Sequence, residues 1–141
     1  MQLVKFFKRR IIEKPAYLYV DTSSIQGRGV FTKKAIKRGE VIERSPLVLI
    51  NEADGQFLKE SVLYDFYFMV KSKETPVAFG LGFSSIYNHA APSNARYSID
   101  LSAALIIIKA HRYIGAGEEI TINYHGHPED NSPVTFTKRD N

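Results

Sequence analysis

Two short apolar runs that end in chemically capable groups constrain this chain most. Ser85-Ile86-Tyr87-Asn88-His89 ends in an amide and an imidazole, and Ile120-Thr121-Ile122-Asn123-Tyr124 ends in an amide and a phenol. Short runs rich in β-branched and aromatic residues read as strands. Between them lie a turn region, Ala91-Pro92-Ser93-Asn94, and one strand-like run, Leu101 to Lys109. A fold that sets Asn88-His89 beside Tyr124 makes the seam between them a candidate active site.

The rest of the chain has the same short rhythm. Tyr17 to Val20, Val30-Phe31, Val41 to Arg44, Leu47 to Ile50, Val77 to Phe83, Tyr97 to Asp100, Ala104 to Lys109 and Glu119 to Tyr124 are expected as strands. Pro46 is expected to break the third run from the fourth, because proline cannot donate to a central ladder. Phe57, Leu58, Val62, Phe66 and Met69 recur at three- and four-residue spacing, which predicts a helix over residues 52–71. Ile36-Lys37-Arg38-Gly39-Glu40-Val41-Ile42 and Ile114-Gly115-Ala116-Gly117-Glu118-Glu119-Ile120 echo one another, each a glycine turn feeding a strand. Two copies are too few for a repeat array. The fold class is mainly β, with one or two short helices and an irregular tail after His125.

Composition removes several functions. At 141 residues the chain is one domain's worth. With no cysteine it has no disulfides, thiolate zinc sites or cysteine nucleophile. Its longest apolar run, Ala103 to Ile108, falls far short of the ~18 residues that span a bilayer. No secretory signal pattern opens the chain, so a cytoplasmic protein is the expectation. Residues 1–14 hold five cations (Lys5, Lys8, Arg9, Arg10, Lys14) against Glu13, which accounts for the whole net charge of +4. The remainder balances, which argues against nucleic acid as the main partner. A solvated arm is the plain reading of that segment, and a docking site for an acidic partner the sharper one.

Taken singly, the polar candidates are ambiguous. Gly27-Arg28-Gly29 lets backbone approach a ligand, yet is also an ordinary hairpin turn. It lacks the third glycine and following helix of a dinucleotide fingerprint. An Asn-His pair is often a structural hydrogen-bonding pair, and a strand-end tyrosine is often half-buried packing. His89, His111, His125 and His127 have no carboxylate pattern to complete a metal shell, so no metal is expected. No G-x-S-x-G elbow marks a serine nucleophile.

Together, in order and spacing, the motifs resemble the SET domain of protein lysine methyltransferases. The resemblance rests on Gly27-Arg28-Gly29-Val30-Phe31, Asn88-His89 with Asn94-Ala95, and Gly117-Glu118-Glu119-Ile120-Thr121-Ile122-Asn123-Tyr124. Gly80 to Tyr87 looks like that family's approach strand to its Asn-His motif. The likeness runs from about Tyr17 to Tyr124 and is greatest to the minimal viral and bacterial members. It implies small curled sheets with a C-terminal pseudoknot, divided into a basic arm (1–16), the SET domain (17–125) and a tail packing on the cofactor site (126–141).

The implied activity is methyl transfer from S-adenosylmethionine to a lysine amine of a protein. Arg28, Gly29, Asn88, His89 and Tyr124 would hold the cofactor, with Phe136 of the tail capping the adenine. Tyr124 would stand at the junction as the catalytic residue. Phe66, Tyr67, Phe83 and Tyr87 would wall the lysine channel, with core packing the equal alternative for Phe66 and Tyr67. The partner is then a lysine-bearing protein or peptide, with no membrane, and a homodimer open by analogy. In a eukaryotic or viral setting the location extends to the nucleus and chromatin. This chain departs from the family at Ala90, where serine is usual, at Ser93, where proline is usual, and at Phe66, where a tyrosine is common. A non-catalytic SET-like peptide- or cofactor-binding module is the rival reading, and a nucleic-acid accessory protein using residues 1–14 a third.

Overall fold

The computed structural model describes residues 11–134. In chain order its elements are β1 (Leu18–Thr22), β2 (Arg28–Thr32), β3 (Val41–Ile50), helix α1 (Glu52–Leu58) and a 3-10 turn (Val62–Phe66). Then come β4 (Tyr67–Met69), β5 (Val77–Gly80), β6 (Asn88–His89), β7 (Ala95–Asp100), β8 (Leu105–Ala110) and β9 (Glu119–Ile122). They form two small sheets, ordered β1-β2-β9-β6 and β4-β5-β3-β8-β7. β9, the last strand among the described residues, lies between β2 and β6 and runs parallel to β6. That placement inside a sheet built by earlier strands is what a pseudoknotted C-terminal segment requires.

The sequence echo is the hinge of the architecture. Ile36 and Ile114 exchange both backbone hydrogen bonds, at 2.8 and 2.9 Å, and both side chains are fully buried. Gly39 N–H donates to Ala110 O at the end of β8, and Gly117 N–H donates to Thr32 O at the end of β2. Each turn thus closes on the strand that precedes the other. Gly39 and Gly117 have φ of 89° and 80°, left-handed values that glycine adopts without strain. Val30, Ile36, Ile106, Ile108, Ile114 and Ile120 fill the space between the two halves with no exposed surface.

Three expectations need correction. The helix read over 52–71 stops at Leu58: Ser61 caps a new turn by accepting from Leu63 N–H, and Tyr67 to Met69 pair with β5. No residue of α1 is buried, so among the described residues the apolar period there meets no core, and Phe57 is 78% exposed. β3 is continuous through Pro46 because the strand changes partner there. Val41 to Pro46 pair with β8, and Leu47 to Ile50 pair with β5. Residues 82–86, expected as an approach strand, form a turn that begins at Gly82 with φ of 73°.

Candidate active site

Strand pairing sets the first contact. In β6 Asn88 lies opposite Thr121 and His89 opposite Ile122, so Tyr124, two residues on, arrives beside His89. The two rings are 5.2 Å apart, and Tyr124 N–H donates to His89 Nδ1 at 3.1 Å. An Nδ1 acceptor means a neutral imidazole with its proton on Nε2. Burial lowers the His89 pKa, His125 lowers it further, and Asp130 pulls the other way. The imidazole is therefore neutral at pH 7.

Tyr124 is held at three points. Its hydroxyl donates to the Tyr87 carbonyl at 3.0 Å, its N–H to His89, and its carbonyl accepts from Tyr97 Oη at 3.2 Å. Burial pushes its pKa up to about 12, against a smaller opposing pull from the hydrogen bond with His89. At neutral pH the group is a fixed, neutral phenol.

Two cavities converge on that phenol. A narrow one of about 120 Å³ has aromatic walls that include Phe66, Tyr67, Phe68, Tyr87 and Tyr97. A wider cleft of about 460 Å³ runs along Gln26, Gly27, Arg28, Ile86 and Asn88. Asp65, Phe66, Ser85 and Tyr124 belong to both walls. The cleft is within the roughly 300–1,000 Å³ of small-molecule sites, and the narrow cavity suits a single side chain.

The wall of the cleft is braced by a carboxylate. Asn88 Nδ2 donates to Gln26 O and Arg28 O, each at 3.1 Å, and to Glu119 Oε1 at 2.8 Å. Ser23 Oγ also donates to Glu119, so Glu119 of β9 and Asn88 of β6 together hold both ends of the loop before β2. Gly29 makes this arrangement fit, because a Cβ there would lie 2.1 Å from Glu119 Oε1.

The expected residues divide accordingly. Arg28, Asn88 and Tyr124 line the cleft, and Gly29 and His89 are next to them in the chain without lining it. Phe66, Tyr67 and Tyr87 line the narrow cavity. The Tyr67 pKa is pushed up to about 12 by burial and then by its hydrogen bond with Tyr64. Phe83 differs from the expectation: its ring lies outside both walls, with Lys14 Nζ 4.4 Å from its centroid. Phe136 lies outside the described residues, as do residues 1–10 of the arm. Residues 11–14 and Val41 to Arg44 of β3 line one open surface cleft.

Sequence reasoning placed Glu119 and Asn94 in the motifs but assigned neither a part in the site. Asn94 is 3% exposed and accepts from Thr121 N–H at 2.8 Å while donating to Glu119 O at 2.7 Å. The alternation of β9 carried a signal for Glu119, whose side chain shares a face with Thr121 rather than with Ile120. Among the described residues, no group of three or more His, Asp or Glu side chains is placed to hold a metal ion. Nor is any helix among them long and apolar enough to cross a membrane.

Small curled sheets, a strand inserted late into a sheet built early, and two cavities joined at a tyrosine define a class of domain in which two cavities meet at one point. The chain belongs to the SET domain family, whose pattern matches residues 27–125. It is similar to the histone-lysine N-methyltransferase specific for histone H3 lysine 37 of Schizosaccharomyces pombe. The two are 29% identical over 121 residues, 83% of this chain and 78% of the relative. Among solved structures it is similar to a Plasmodium falciparum protein described as a histone methyltransferase. That likeness has a TM-score of 0.66 and 29% identity, and it covers 79% of this chain and 95% of the other. The fold also recurs in a humanized mutant of the Chaetomium thermophilum Polycomb Repressive Complex 2. There the TM-score is 0.63 at 24% identity, over 76% of this chain and 14% of that one.

Proposed function

We propose that this protein is a protein-lysine N-methyltransferase that uses S-adenosylmethionine. The observation that carries the reading is the shared wall: Asp65, Phe66, Ser85 and Tyr124 face both cavities. A reaction between two ligands needs their reacting atoms about 3–3.5 Å apart and aligned, and two cavities that meet supply that. The names of the similar proteins favour a lysine of a histone-like protein as substrate.

The donor set of the cleft fits the cofactor. The Arg28 guanidinium is a partner for its carboxylate, and bare backbone at Gly27 leaves open room beside it. Bound there, S-adenosylmethionine supplies a methyl group on a sulfonium. Tyr124 marks the junction, and a phenol whose proton goes to the Tyr87 carbonyl presents oxygen lone pairs to an amine or a polarised methyl. With a pKa near 12 it orients and stabilises; it does not take the proton. A lysine amine has a pKa of about 10.4 in water, and the aromatic walls of the narrow cavity favour its neutral form. Methyl transfer there would form the N–C bond from the amine lone pair, with the electrons of the S–C bond left on sulfur. The surplus proton on nitrogen leaves to water.

The test is incubation of host proteins with methyl-labelled S-adenosylmethionine, read by mass spectrometry. Label on lysine Nζ is expected with the wild type and largely lost with Tyr124→Phe. Cofactor binding with no lysine labelled in any extract would replace the enzyme by a binding module.

A further inference from the structure

Glu43 is buried to 5% exposure inside β3, and neither ion pair among the described residues involves it. A bulge puts it there. Val41 pairs with Lys109 and Glu43 with Ile108, so Ile42 is one residue extra. The bulge breaks the alternation, leaving Ile42 and Glu43 both buried and Glu43, Ser45 and Leu47 on the inner face. Bulges that re-aim a side chain are features of a fold rather than accidents.

Three groups donate to the carboxyl group. Oε1 accepts from Ser45 Oγ at 2.6 Å and Phe83 N–H at 2.9 Å, and Oε2 accepts from Tyr87 Oη at 2.7 Å. The chain bends against it at Gly82, where a Cβ would lie 2.7 Å from Oε1. A buried acid costs several kcal/mol in desolvation, and an apolar residue of its size would spare that cost. Tyr87, at 1% exposure, links it to the reaction centre, because the Tyr87 carbonyl is the acceptor of the Tyr124 hydroxyl.

We infer that Glu43 is a positioning residue for methyl transfer: it clamps Tyr87 by its hydroxyl so that the Tyr87 carbonyl keeps the Tyr124 phenol aimed at the junction of the two cavities. The inference rests on the methyl-transfer reading of that junction. It adds a link from β3, outside every motif that identifies the family in this sequence, to the phenol at the centre.

Two variants test it, Glu43→Gln and Tyr87→Phe, the second keeping the ring so that a folded protein remains if the first is unstable. Each is expected to lower kcat about tenfold or more, the scale of a misplaced catalytic group, while KM for a lysine peptide stays within about twofold. On a Tyr124→Phe background, Glu43→Gln is expected to change kcat less than about twofold, since its effect passes through that hydroxyl. A readout without turnover is the Cζ resonance of Tyr124 in carbon-labelled protein free of cofactor, expected to move in both variants. Folded variants with wild-type kcat and an unmoved Tyr124 resonance would overturn the inference. So would losses that add in full to that of Tyr124→Phe. If the wild type methylates no lysine, the methyl-transfer reading fails, and the resonance alone still decides whether Glu43 sets Tyr124.

Discussion

Gly29→Ala tests how β9 holds the cleft. Its φ is not in the left-handed region, so backbone strain plays no part and the cost comes from what the new methyl meets. That is the Glu119 carboxylate, with Oε1 at 2.1 Å and Cδ at 2.6 Å, and then Asn88 Nδ2 at 3.2 Å. A carboxylate on a flexible stem can swing away, but it then gives up the donors from Asn88 at 2.8 Å and from Ser23 at 2.8 and 2.9 Å. Hydrogen bonds to a charged group are worth about 1.5–3 kcal/mol each, and Glu119 is only half-buried, so water restores part of the loss. Alanine recovers about 0.4–1 kcal/mol through the unfolded chain. The net expectation is a loss of about 1–3 kcal/mol, or a fall of about 0.5–1.5 M in the urea midpoint at an m-value near 2 kcal/mol/M. S-adenosylmethionine affinity should fall with it, because Asn88 anchors the loop that lines the cleft. On a Glu119→Ala background the same substitution should cost nothing. A Gly29→Ala protein with the wild-type midpoint and wild-type affinity would refute the reasoning.

Further outcomes follow from the core and from charge. Ile114→Ala removes a fully buried side chain at the crossing of the two turns and should cost about 2–5 kcal/mol in urea unfolding; a cost below 1 kcal/mol would contradict that role. Asn94→Ala leaves Thr121 N–H and Glu119 O without their partner, so amide exchange at Thr121 should accelerate at least tenfold, and unchanged protection would count against the bracket. Because the His89 pKa is lowered in the fold, the unfolded chain binds more protons at acidic pH. Its contribution to stability is present above the unfolded value of about 6.5 and is lost as pH falls through the lower folded value. The urea midpoint should therefore drop between pH 7 and pH 5, less so in His89→Gln; a midpoint that rises on acidification would reverse the sign.

Local chemistry was readable from the sequence, and distant pairing only through the family resemblance. The strand runs were legible because β-branched and aromatic residues cluster between glycine and proline. So was the echo around Gly39 and Gly117. Its meaning was not, since nothing local says that Ile36 and Ile114 bond to each other. The helix over 52–71 failed because spacing records apolar positions and not whether a core exists to receive them. At Pro46 the rule about proline held, but a strand that changes partner was invisible in a linear reading. Tyr124 and Asn88 were found as motif ends. Glu43, and the bracing parts that Asn94 and Glu119 play, were missed because such a group is defined by its hydrogen-bond partners, most of which lie 24 to 96 residues away in the chain. Phe83 was grouped with the channel by aromatic type, whereas the turn at Gly82 sends it toward Lys14.

The central claim, that a methyl donor in the wide cleft ends at the Tyr124 phenol, is tested most directly by magnetisation transfer from bound S-adenosylmethionine labelled at its methyl carbon. Cross-peaks from that methyl to the ring protons of Tyr124 are expected, and a lysine peptide should add its own to the same methyl. Tight binding of the labelled cofactor with its methyl close to other residues and none to Tyr124 would contradict it.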